Sequence, residues 1–473
     1  MDREEFRRHA HRLVDWMADY LDGVENYPVR SQVRPGEIAA KLAPAPPEAA
    51  EAMDEILADF ERDVLPGITH WQHPSFFAYF PANSSPPSVL AEMLTATIGA
   101  QCMLWQTSPA ATEMEIRVLD WLRQMIGLPE GFTGTIQDSA SSATLCAILT
   151  GRERATGWRA NEAGLAATGP VAVYCSAETH SSIEKAVKIA GIGRDNLRNI
   201  PVDDNFALRP EVLEAAIQAD QAAGRTPACV VATLGTTGAS GIDPLAAIAR
   251  ICRHHGIFLH VDAAWAGSAL LLPEYRWMIE GIEAVDSFVF NPHKWLLVNF
   301  DCSAHFVREP ADLIRTLAIL PEYLKGPEGE RVIDYRDWGV PLGRRFRALK
   351  LWFVIRAYGV AGLRAVIERH IALANQAAGW VEAAADFELL APARLALFCF
   401  RYRPSDVGDE ALLDRLNEAL IAQLNDSGRL YLTQTRVAGK YAIRFQVGQT
   451  TTEPRHVAAA WEAIQATARA LPR

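Results

Sequence analysis

Short, nearly continuous apolar runs alternate with amphipathic segments through the middle of the chain. The runs have the length of strands, and they are VAVYCS (171–176), ACVVATLG (228–235), IFLHVDAA (257–264) and SFVFN (287–291). Apolar residues at helical spacing occupy residues 109–126, 181–190 and 243–255. Strands buried on both faces of a mainly parallel sheet have this composition. The pattern predicts an α/β domain.

The two ends of the chain have other patterns. Residues 2–22 predict an amphipathic helix, and a Pro- and Ala-rich connector follows them. Past about residue 350, helical segments accompany an apolar run at 395–403 and a strand pair around Ala438-Gly439, which indicates a smaller α+β domain. We predict an N-terminal helical arm and dimerisation segment (1–85), a large domain (86–350) and a small C-terminal domain (351–473). The leading helix either docks on another subunit or packs on its own domain.

Composition narrows the class of protein. The chain has 473 residues, 49% of them hydrophobic, which is enough for a large core. A formal net charge of −11 without a basic block argues against binding to nucleic acid. The charged start, and apolar runs well short of ~18 residues, predict a soluble cytoplasmic protein that does not enter a membrane. Seven scattered cysteines without a C-x-x-C pair predict reduced thiols rather than disulfides or a metal site.

One lysine stands where a lysine is unexpected. Lys294 closely follows the apolar run 287–291 and lies between His293 and Trp295. Lysine is among the residues least often buried. A desolvated lysine has a lowered amine pKa and can form an imine with an aldehyde. The alternative is a lysine at the core edge whose amine reaches solvent.

Polar and small residues follow each predicted strand, at the edge where ligands gather in open α/β sheets. They are Glu178-Thr179-His180-Ser181-Ser182, Gly235-Thr236-Thr237-Gly238, Asp262-Ala263-Ala264 and Asn291-Pro292-His293-Lys294. Upstream, Asp138-Ser139-Ala140-Ser141-Ser142 precedes an apolar helix. The start of a helix favours an anion such as a phosphate. These serines also suit a purely structural helix cap.

Pyridoxal 5'-phosphate is a cofactor that would use all of these groups at once. Its aldehyde would take Lys294, and Asp262 would keep the ring nitrogen protonated, which makes the ring a strong electron sink. His180 would lie flat on the ring, Thr237 would reach the ring hydroxyl, and the small Ala264 would allow close approach from the other face. Taken singly, Asp262 and His180 also suit structural hydrogen bonding, which their combination with Lys294 disfavours.

Three motifs occur in an order that carries a family resemblance. They are His180-Ser181-Ser182, His260-Val261-Asp262-Ala263-Ala264-Trp265 and Asn291-Pro292-His293-Lys294-Trp295. With them the sequence resembles the group II pyridoxal-phosphate decarboxylases, and within that group it is similar to the aromatic-L-amino-acid decarboxylases. Further matching stretches extend the resemblance over nearly the whole chain, at residues 70–85, 231–243, 260–269, 290–304 and 341–359.

The resemblance implies a type I, aspartate-aminotransferase-like fold and a homodimer with active sites at the subunit interface. It makes Lys294 the Schiff-base lysine, Asp262 the partner of the ring nitrogen and His180 the residue stacked on the ring. The remaining cofactor contacts that it implies are Ala140, Ser141, Thr237, Ala264, Asn291 and His293. Tyr323 matches a loop tyrosine that donates a proton to the carbanionic carbon of the substrate.

The substrate pocket implied by the resemblance is aromatic. Its members are Trp71, Tyr79, Phe80, Ala82, Met103 and His180. Ala82-Asn83 replaces a Thr-Gly of animal relatives, and Met103 replaces an aromatic residue, so the preferred substrate stays open.

The implied reaction converts an aromatic L-amino acid (tryptophan, DOPA, tyrosine or phenylalanine) to the arylalkylamine and CO2. Two enzymatic alternatives are an aromatic aldehyde synthase and a decarboxylase of a non-aromatic amino acid such as glutamate or histidine. Relatives with Phe at the position of Tyr323 are aldehyde synthases, so Tyr323 favours simple decarboxylation. A cofactor-binding protein without catalysis is the third alternative, and the presence of Lys294, Asp262 and Tyr323 argues against it.

Overall fold

The computed structural model describes residues 1–319 and 331–472. These form two compact units, a larger one of residues 82–369 and a smaller one that combines residues 1–81 with 370–473. The N-terminal and C-terminal segments, which the sequence suggested as separate parts, thus belong to one unit.

The elements are numbered in chain order. The strands are β1 (Thr133–Gln137), β2 (Val171–Ser176), β3 (Leu197–Ile200), β4 (Thr226–Thr233), β5 (Phe258–Asp262), β6 (Ser287–Phe290), β7 (Ser303–Val307), β8 (Phe387–Arg394), β9 (Leu397–Tyr402), β10 (Thr433–Val437) and β11 (Lys440–Gln446). The helices are α1 (Arg3–Gly23), α2 (Glu37–Lys41), α3 (Met53–Asp59), α4 (Pro86–Ile98), α5 (Pro109–Ile126), α6 (Ala140–Ala155), α7 (Ala160–Ala163), α8 (Ser182–Ile189), α9 (Pro210–Ala222), α10 (Leu245–His255), α11 (Pro292–Trp295), α12 (Pro310–Leu317), α13 (Arg347–Ala383), α14 (Glu410–Asp426) and α15 (Pro454–Ala470).

The larger unit is built on a seven-stranded sheet in the order β1-β7-β6-β5-β4-β2-β3. Every neighbouring pair is parallel except the two pairs of β7, which runs antiparallel to β6 and to β1. The mainly parallel sheet and the four predicted strands are confirmed. β1, β3 and β7 were not predicted, because TGTIQ, LRNI and SAHFV are short and mix polar with apolar residues.

The register of the sheet aligns the carboxyl ends of its central strands. Thr233 at the end of β4 pairs with Asp262 at the end of β5, and Asp262 pairs with Val289 near the end of β6. α6 packs across these strands and buries Ala143 and Ala147 in the core. The residues that follow β4, β5 and β6 therefore emerge together at one edge.

The smaller unit contains a four-stranded antiparallel sheet in the order β10-β11-β9-β8. The predicted strand pair is confirmed as the β10–β11 hairpin, whose turn places Ala438 at φ 48° and Gly439 at φ 81°. Positive φ at both turn residues matches the right-handed twist of the strands, and glycine adopts it without strain.

The leading helix is confirmed as α1, one residue shifted from the predicted range. Its aromatic face packs within its own unit, where the ring of Trp16 lies 5.7 Å from that of Phe60. Phe6, Leu13 and Val14 on the same helix stay exposed. Among the described residues, no helix is both long and apolar enough to cross a lipid bilayer.

Candidate active site

Backbone hydrogen bonds continue past the ends of β5 and β6 and hold the following residues side by side. The N–H of Ala263 donates to the carbonyl of Val289 at 2.9 Å, and the N–H of Asn291 donates to the carbonyl of Ala264 at 2.9 Å. Ala264 and Asn291 thus lie next to each other at the carboxyl edge of the sheet, where both were predicted.

Asp262 provides a buried carboxylate at this edge. Its side chain is only 5% exposed. The carboxylate oxygen Oδ1 accepts a hydrogen bond of 3.0 Å from the N–H of Ala264. A buried carboxylate is costly unless it is paired or hydrogen-bonded. Its position thus suits a partner that brings a positively charged N–H.

Lys294 lies on the short helix α11, directly beyond β6. Its backbone N–H donates to the carbonyl of Asn291 at 2.9 Å, and its carbonyl accepts a longer bond of 3.4 Å from the N–H of Asn83. Ser85 Oγ donates to the carbonyl of Leu297 at 2.7 Å. The segment that carries Ala82 therefore runs beside the backbone of Lys294. The side chain of Lys294 is half-buried.

His180 is exposed, although Asp262 near it is buried. Partial desolvation of the imidazole lowers the pKa of His180 below its usual 6.5. The positive charge of Lys294 lowers this pKa further, and the negative charge of Asp262 raises it. Thr179 Oγ1 lies 3.3 Å from Thr233 Oγ1, and Thr233 pairs with Asp262. His180 therefore lies at the same edge of the sheet as Asp262 and Lys294.

The orientation of His180 is set by the start of α8. Nδ1 of the ring accepts a hydrogen bond of 3.2 Å from the N–H of Ser182 and lies 2.8 Å from Ser182 Oγ. Because a backbone N–H can only donate, Nδ1 is the acceptor and the neutral ring carries its proton on Nε2.

His293 and Asn291 are fixed by hydrogen bonds from the start of β7 and the residue just before it. The N–H of Cys302 donates to His293 Nδ1 at 2.8 Å, and Ser303 Oγ donates to Asn291 Oδ1 at 2.6 Å. Burial and the charge of Lys294 lower the pKa of His293 to about 3, so the ring is neutral. Cys302 and Ser303 were not predicted as site residues. The signal that points to them is the antiparallel pairing of β7 with β6, which a local pattern does not reveal.

The N-terminus of α6 faces the same edge. Ser139 is confirmed as the cap of the helix, because its Oγ accepts a hydrogen bond of 3.3 Å from the N–H of Ser142. Ala140 belongs to a buried apolar cluster with Ala143 and Val289, against which Ala264 packs. The first N–H groups of a helix have no acceptor within the helix, so those of Ala140 and Ser141 are suited to bind an anion.

Thr237 lies in a tight loop between β4 and α10. The N–H groups of Gly235 and Thr236 both donate to the carbonyl of Gly241 at 2.9 Å, which closes the loop. The carboxylate of Asp243 accepts a bond of 2.7 Å from the N–H of Thr233 and anchors the loop to the end of β4. Thr237 is half-buried in this loop.

The predicted substrate residues belong to both units, unlike the predicted cofactor residues, which all belong to the larger one. Met103 lies in the larger unit, where its carbonyl accepts a hydrogen bond of 3.0 Å from the N–H of Arg336. Trp71, Tyr79 and Phe80 belong to the smaller unit. There Trp71 stacks on Tyr79 with ring centroids 5.6 Å apart. Tyr323 lies outside the described residues.

The groups at the carboxyl edge fit pyridoxal phosphate. They comprise a helix start suited to an anion, a buried carboxylate, an exposed histidine and a half-buried lysine, which are the types of group that this cofactor requires. The side chains that supply these groups were all named from the sequence. Within residues 1–319 and 331–472, no cluster of three or more His, Cys, Asp or Glu side chains is arranged to hold a metal ion.

Known proteins share this architecture. The family described as pyridoxal-dependent decarboxylase conserved domain matches residues 35–403. Tyrosine decarboxylase 1 of Narcissus pseudonarcissus is 43% identical over 100% of this chain and 94% of its own length. Phenylacetaldehyde synthase of Arabidopsis thaliana is 43% identical over 98% of this chain and 96% of its own.

A solved structure extends the likeness to three dimensions. The crystal structure of Oryza sativa TDC with PLP and tryptamine superimposes with a TM-score of 0.96 at 37% identity, covering 99% of this chain and 98% of that chain. The type I fold is thereby confirmed. This chain belongs to the pyridoxal-dependent decarboxylase family, and its cofactor is pyridoxal phosphate.

Proposed function

We propose that this chain decarboxylates an aromatic L-amino acid to the corresponding arylalkylamine and CO2. The observation that carries the proposal is the grouping of Lys294, Asp262 and His180 at one edge of the sheet, in a chain that is 43% identical to a tyrosine decarboxylase over its whole length.

The chain's own groups divide the work on the cofactor. Lys294 would bind the aldehyde carbon, and Ala140, Ser141, Asn291 and His293 would hold the phosphate side. Asp262 would keep a proton on the ring nitrogen, since its buried carboxylate gains from a cationic partner. His180 would lie on one ring face, Ala264 on the other, and Thr237 would reach the ring hydroxyl. When bound, pyridoxal phosphate supplies an electron sink for the bond that breaks on CO2 loss.

Tyr323 is the proposed source of the proton that the substrate Cα receives after CO2 leaves. The role is assigned from its position in the sequence. A phenol at this point favours the amine as product, whereas the related phenylacetaldehyde synthase bears the name of an aldehyde-forming enzyme. We assign recognition of the substrate ring to Trp71, Tyr79, Phe80, Ala82 and Met103 on the same resemblance. Ala82 offers no hydroxyl to a ring substituent.

A product assay tests this function. Purified protein with added pyridoxal phosphate is given tryptophan, tyrosine, DOPA, phenylalanine, glutamate and histidine in turn, and CO2, amine, aldehyde and peroxide are quantified. The proposal expects CO2 and amine in equal amounts from at least one aromatic substrate. It expects Tyr323→Phe, supplied with dissolved O2 as the oxidant, to release CO2, aldehyde, ammonia and hydrogen peroxide in place of the amine. Turnover of glutamate or histidine alone, or aldehyde as the main product of the parent protein, would contradict it.

We further propose a homodimer. An apolar stripe along α4 is exposed at helical spacing, with Leu90 53%, Met93 36%, Leu94 45% and Ile98 61% exposed. Exposed stripes of this kind mark protein–protein contacts. Sedimentation should find a dimer that Leu94→Glu with Ile98→Glu converts to monomer, while Ile189→Glu, at an exposed apolar residue of α8, leaves it intact. A monomeric parent protein would refute the dimer.

The proposed location is a reducing compartment, the cytoplasm. All seven cysteines are buried free thiols, as expected of such a protein. Recovery of the protein in a secreted fraction would contradict this assignment.

A further inference from the structure

A continuous chain of hydrogen bonds crosses the core beneath the proposed cofactor site. Thr144 Oγ1 lies 3.1 Å from His260 Nε2, His260 Nδ1 lies 2.9 Å from Ser287 Oγ, and Ser287 Oγ lies 2.8 Å from His305 Nε2. All four side chains are 0% exposed. We call Thr144, His260, Ser287 and His305 the buried histidine chain.

Each strand that contributes a side chain to the buried histidine chain also contributes or leads to residues of the proposed cofactor site. His260 precedes Asp262 by two residues on β5, so the two side chains point to the same face of the sheet. His305 follows Ser303 by two residues on β7, again on one face. Ser287 begins β6, and β6 leads to Asn291 and Lys294. The buried histidine chain is therefore one layer below the site, on the same three strands.

Helix α6 likewise contributes both to the buried histidine chain and to the proposed cofactor site. Thr144 lies one turn after Ala140 on α6, and residues four apart share a helix face. Ala140 contributes one of the N–H groups assigned to the phosphate. The bond from Thr144 to His260 therefore links α6, with its anion-binding start, to β5, with Asp262 at its end.

Both imidazoles of the chain are neutral. Burial lowers the pKa of His305 to about 3 and places that of His260 well below 6.5, with the neighbouring His305 as a further cause. A neutral imidazole has one donor and one acceptor nitrogen, and a buried nitrogen without a partner is costly. The bonds to Thr144 and Ser287 are thus what makes two buried histidines tolerable at these positions.

His305, at the end of the buried histidine chain, lines a small cavity. Nδ1 of His305 has no partner within the described protein, and His305 lines a cavity of about 10 Å³, close to the space that one water molecule needs. Asp286, Glu309 and Asp312 also line the cavity. A water that accepts from His305 Nδ1 and donates to one of these carboxylates would complete the chain.

We propose that the buried histidine chain positions the cofactor site. Its hydrogen bonds hold α6, β5, β6 and β7 in the register that brings Ala140, Asp262, Asn291 and Ser303 together. Loss of one of these bonds therefore weakens the binding of pyridoxal phosphate, although none of the four side chains is assigned a contact with the cofactor. The inference rests on the cofactor site assigned under the proposed function.

The test compares variants of nearly equal shape. Thr144→Val removes the hydroxyl, Thr144→Ser keeps it, and Ser287→Ala breaks the chain at its centre. Thr316→Val is the matched control, because Thr316 is a buried helical threonine whose hydroxyl donates to the carbonyl of Asp312 in its own helix. For each purified holoenzyme the cofactor is removed, and the dissociation constant of pyridoxal phosphate and the apoenzyme melting temperature are measured.

The outcomes separate positioning from general stability. Thr144→Val and Ser287→Ala should raise the dissociation constant at least about fivefold, the size of one lost hydrogen bond, while Thr144→Ser and Thr316→Val change it less than about twofold. Unchanged affinity in Thr144→Val and Ser287→Ala, or equal weakening in Thr316→Val, would overturn the proposal. Failure of the parent protein to bind pyridoxal phosphate would instead refute the cofactor site itself.

Discussion

The backbone N–H of Ser182 donates a hydrogen bond of 3.2 Å to Nδ1 of His180. Ser182 is the first residue of α8, so the helix start fixes the ring of a proposed cofactor-stacking residue. The neutral imidazole then carries its proton on Nε2, on the side away from α8. One main-chain donor thus decides both the tilt of the ring and the nitrogen that can donate.

This geometry gives His180 two separable properties, a flat ring that can stack on the cofactor and an Nε2 proton that can be donated to a bound group. In His180→Phe a flat ring can still stack, but the Nε2 proton is lost. We expect the dissociation constant of pyridoxal phosphate to change less than about threefold and kcat to fall at least ~100-fold, the lower range for a lost proton-handling group. His180→Ala should lose affinity as well. Equal affinities in the two variants would show that stacking contributes nothing.

The carboxylate of Asp262 is expected to act through its charge. Asp262→Asn keeps the shape and an oxygen for the N–H of Ala264, but it cannot stabilise a protonated ring nitrogen. We expect kcat/KM to fall ~100-fold or more, measured as CO2 release at saturating cofactor. Asp220→Asn is the control, since Asp220 is a buried carboxylate of the same unit that binds Arg198 and Tyr174. A comparable fall in kcat/KM in Asp262→Asn and Asp220→Asn would contradict the role assigned to Asp262.

Gly267 lies so close to Phe290, the last residue of β6, that a side chain at position 267 would collide with it. A Cβ added there would lie 2.3 Å from Cβ of Phe290, the residue before Asn291. Overpacking of this kind costs about 1–3 kcal/mol, so Gly267→Ala should lower the free energy of unfolding by that amount. Gly379→Ala, in a helix with nothing within 4 Å of the added carbon, should be neutral or stabilising. Urea unfolding of both variants tests the difference, and equal stability would contradict the packing argument.

Buried neutral histidines predict a loss of stability in acid. Burial lowers the pKa of His73 to about 4 and those of His293 and His305 to about 3. Unfolding returns each ring to a pKa of about 6.5, so below that pH the unfolded chain binds more protons and stability falls as the pH falls. His305→Leu should reduce this slope by up to ~1.4 kcal/mol per pH unit between pH 6 and 4. Phe306→Leu changes the neighbouring buried side chain without removing a titrating group and should leave the slope unchanged, and an equal change in both variants would contradict the assignment.

Local patterns predicted much of the central sheet. The apolar run at 171–176 coincides residue for residue with β2, and the helical pattern over 109–126 coincides with α5. The strand ends then brought Asp262, Asn291 and Lys294 to one edge, because parallel strands share their direction.

The parts that were missed depend on distant pairing. SAHFV has no pattern of its own, and it becomes β7 through antiparallel pairing with β6. With it came Cys302 and Ser303, the partners of His293 and Asn291. The union of the N-terminal arm with the C-terminal segment in one unit is equally non-local, since it joins residues almost a chain length apart.

The most direct measurement is the place of covalent attachment. Holoenzyme is reduced with borohydride, digested and mapped by mass spectrometry, with Lys294→Ala as the control. The account predicts a pyridoxyl group on the peptide that contains Lys294, and none in the variant. A pyridoxyl group on another lysine, or no stable attachment in the parent protein, would contradict it.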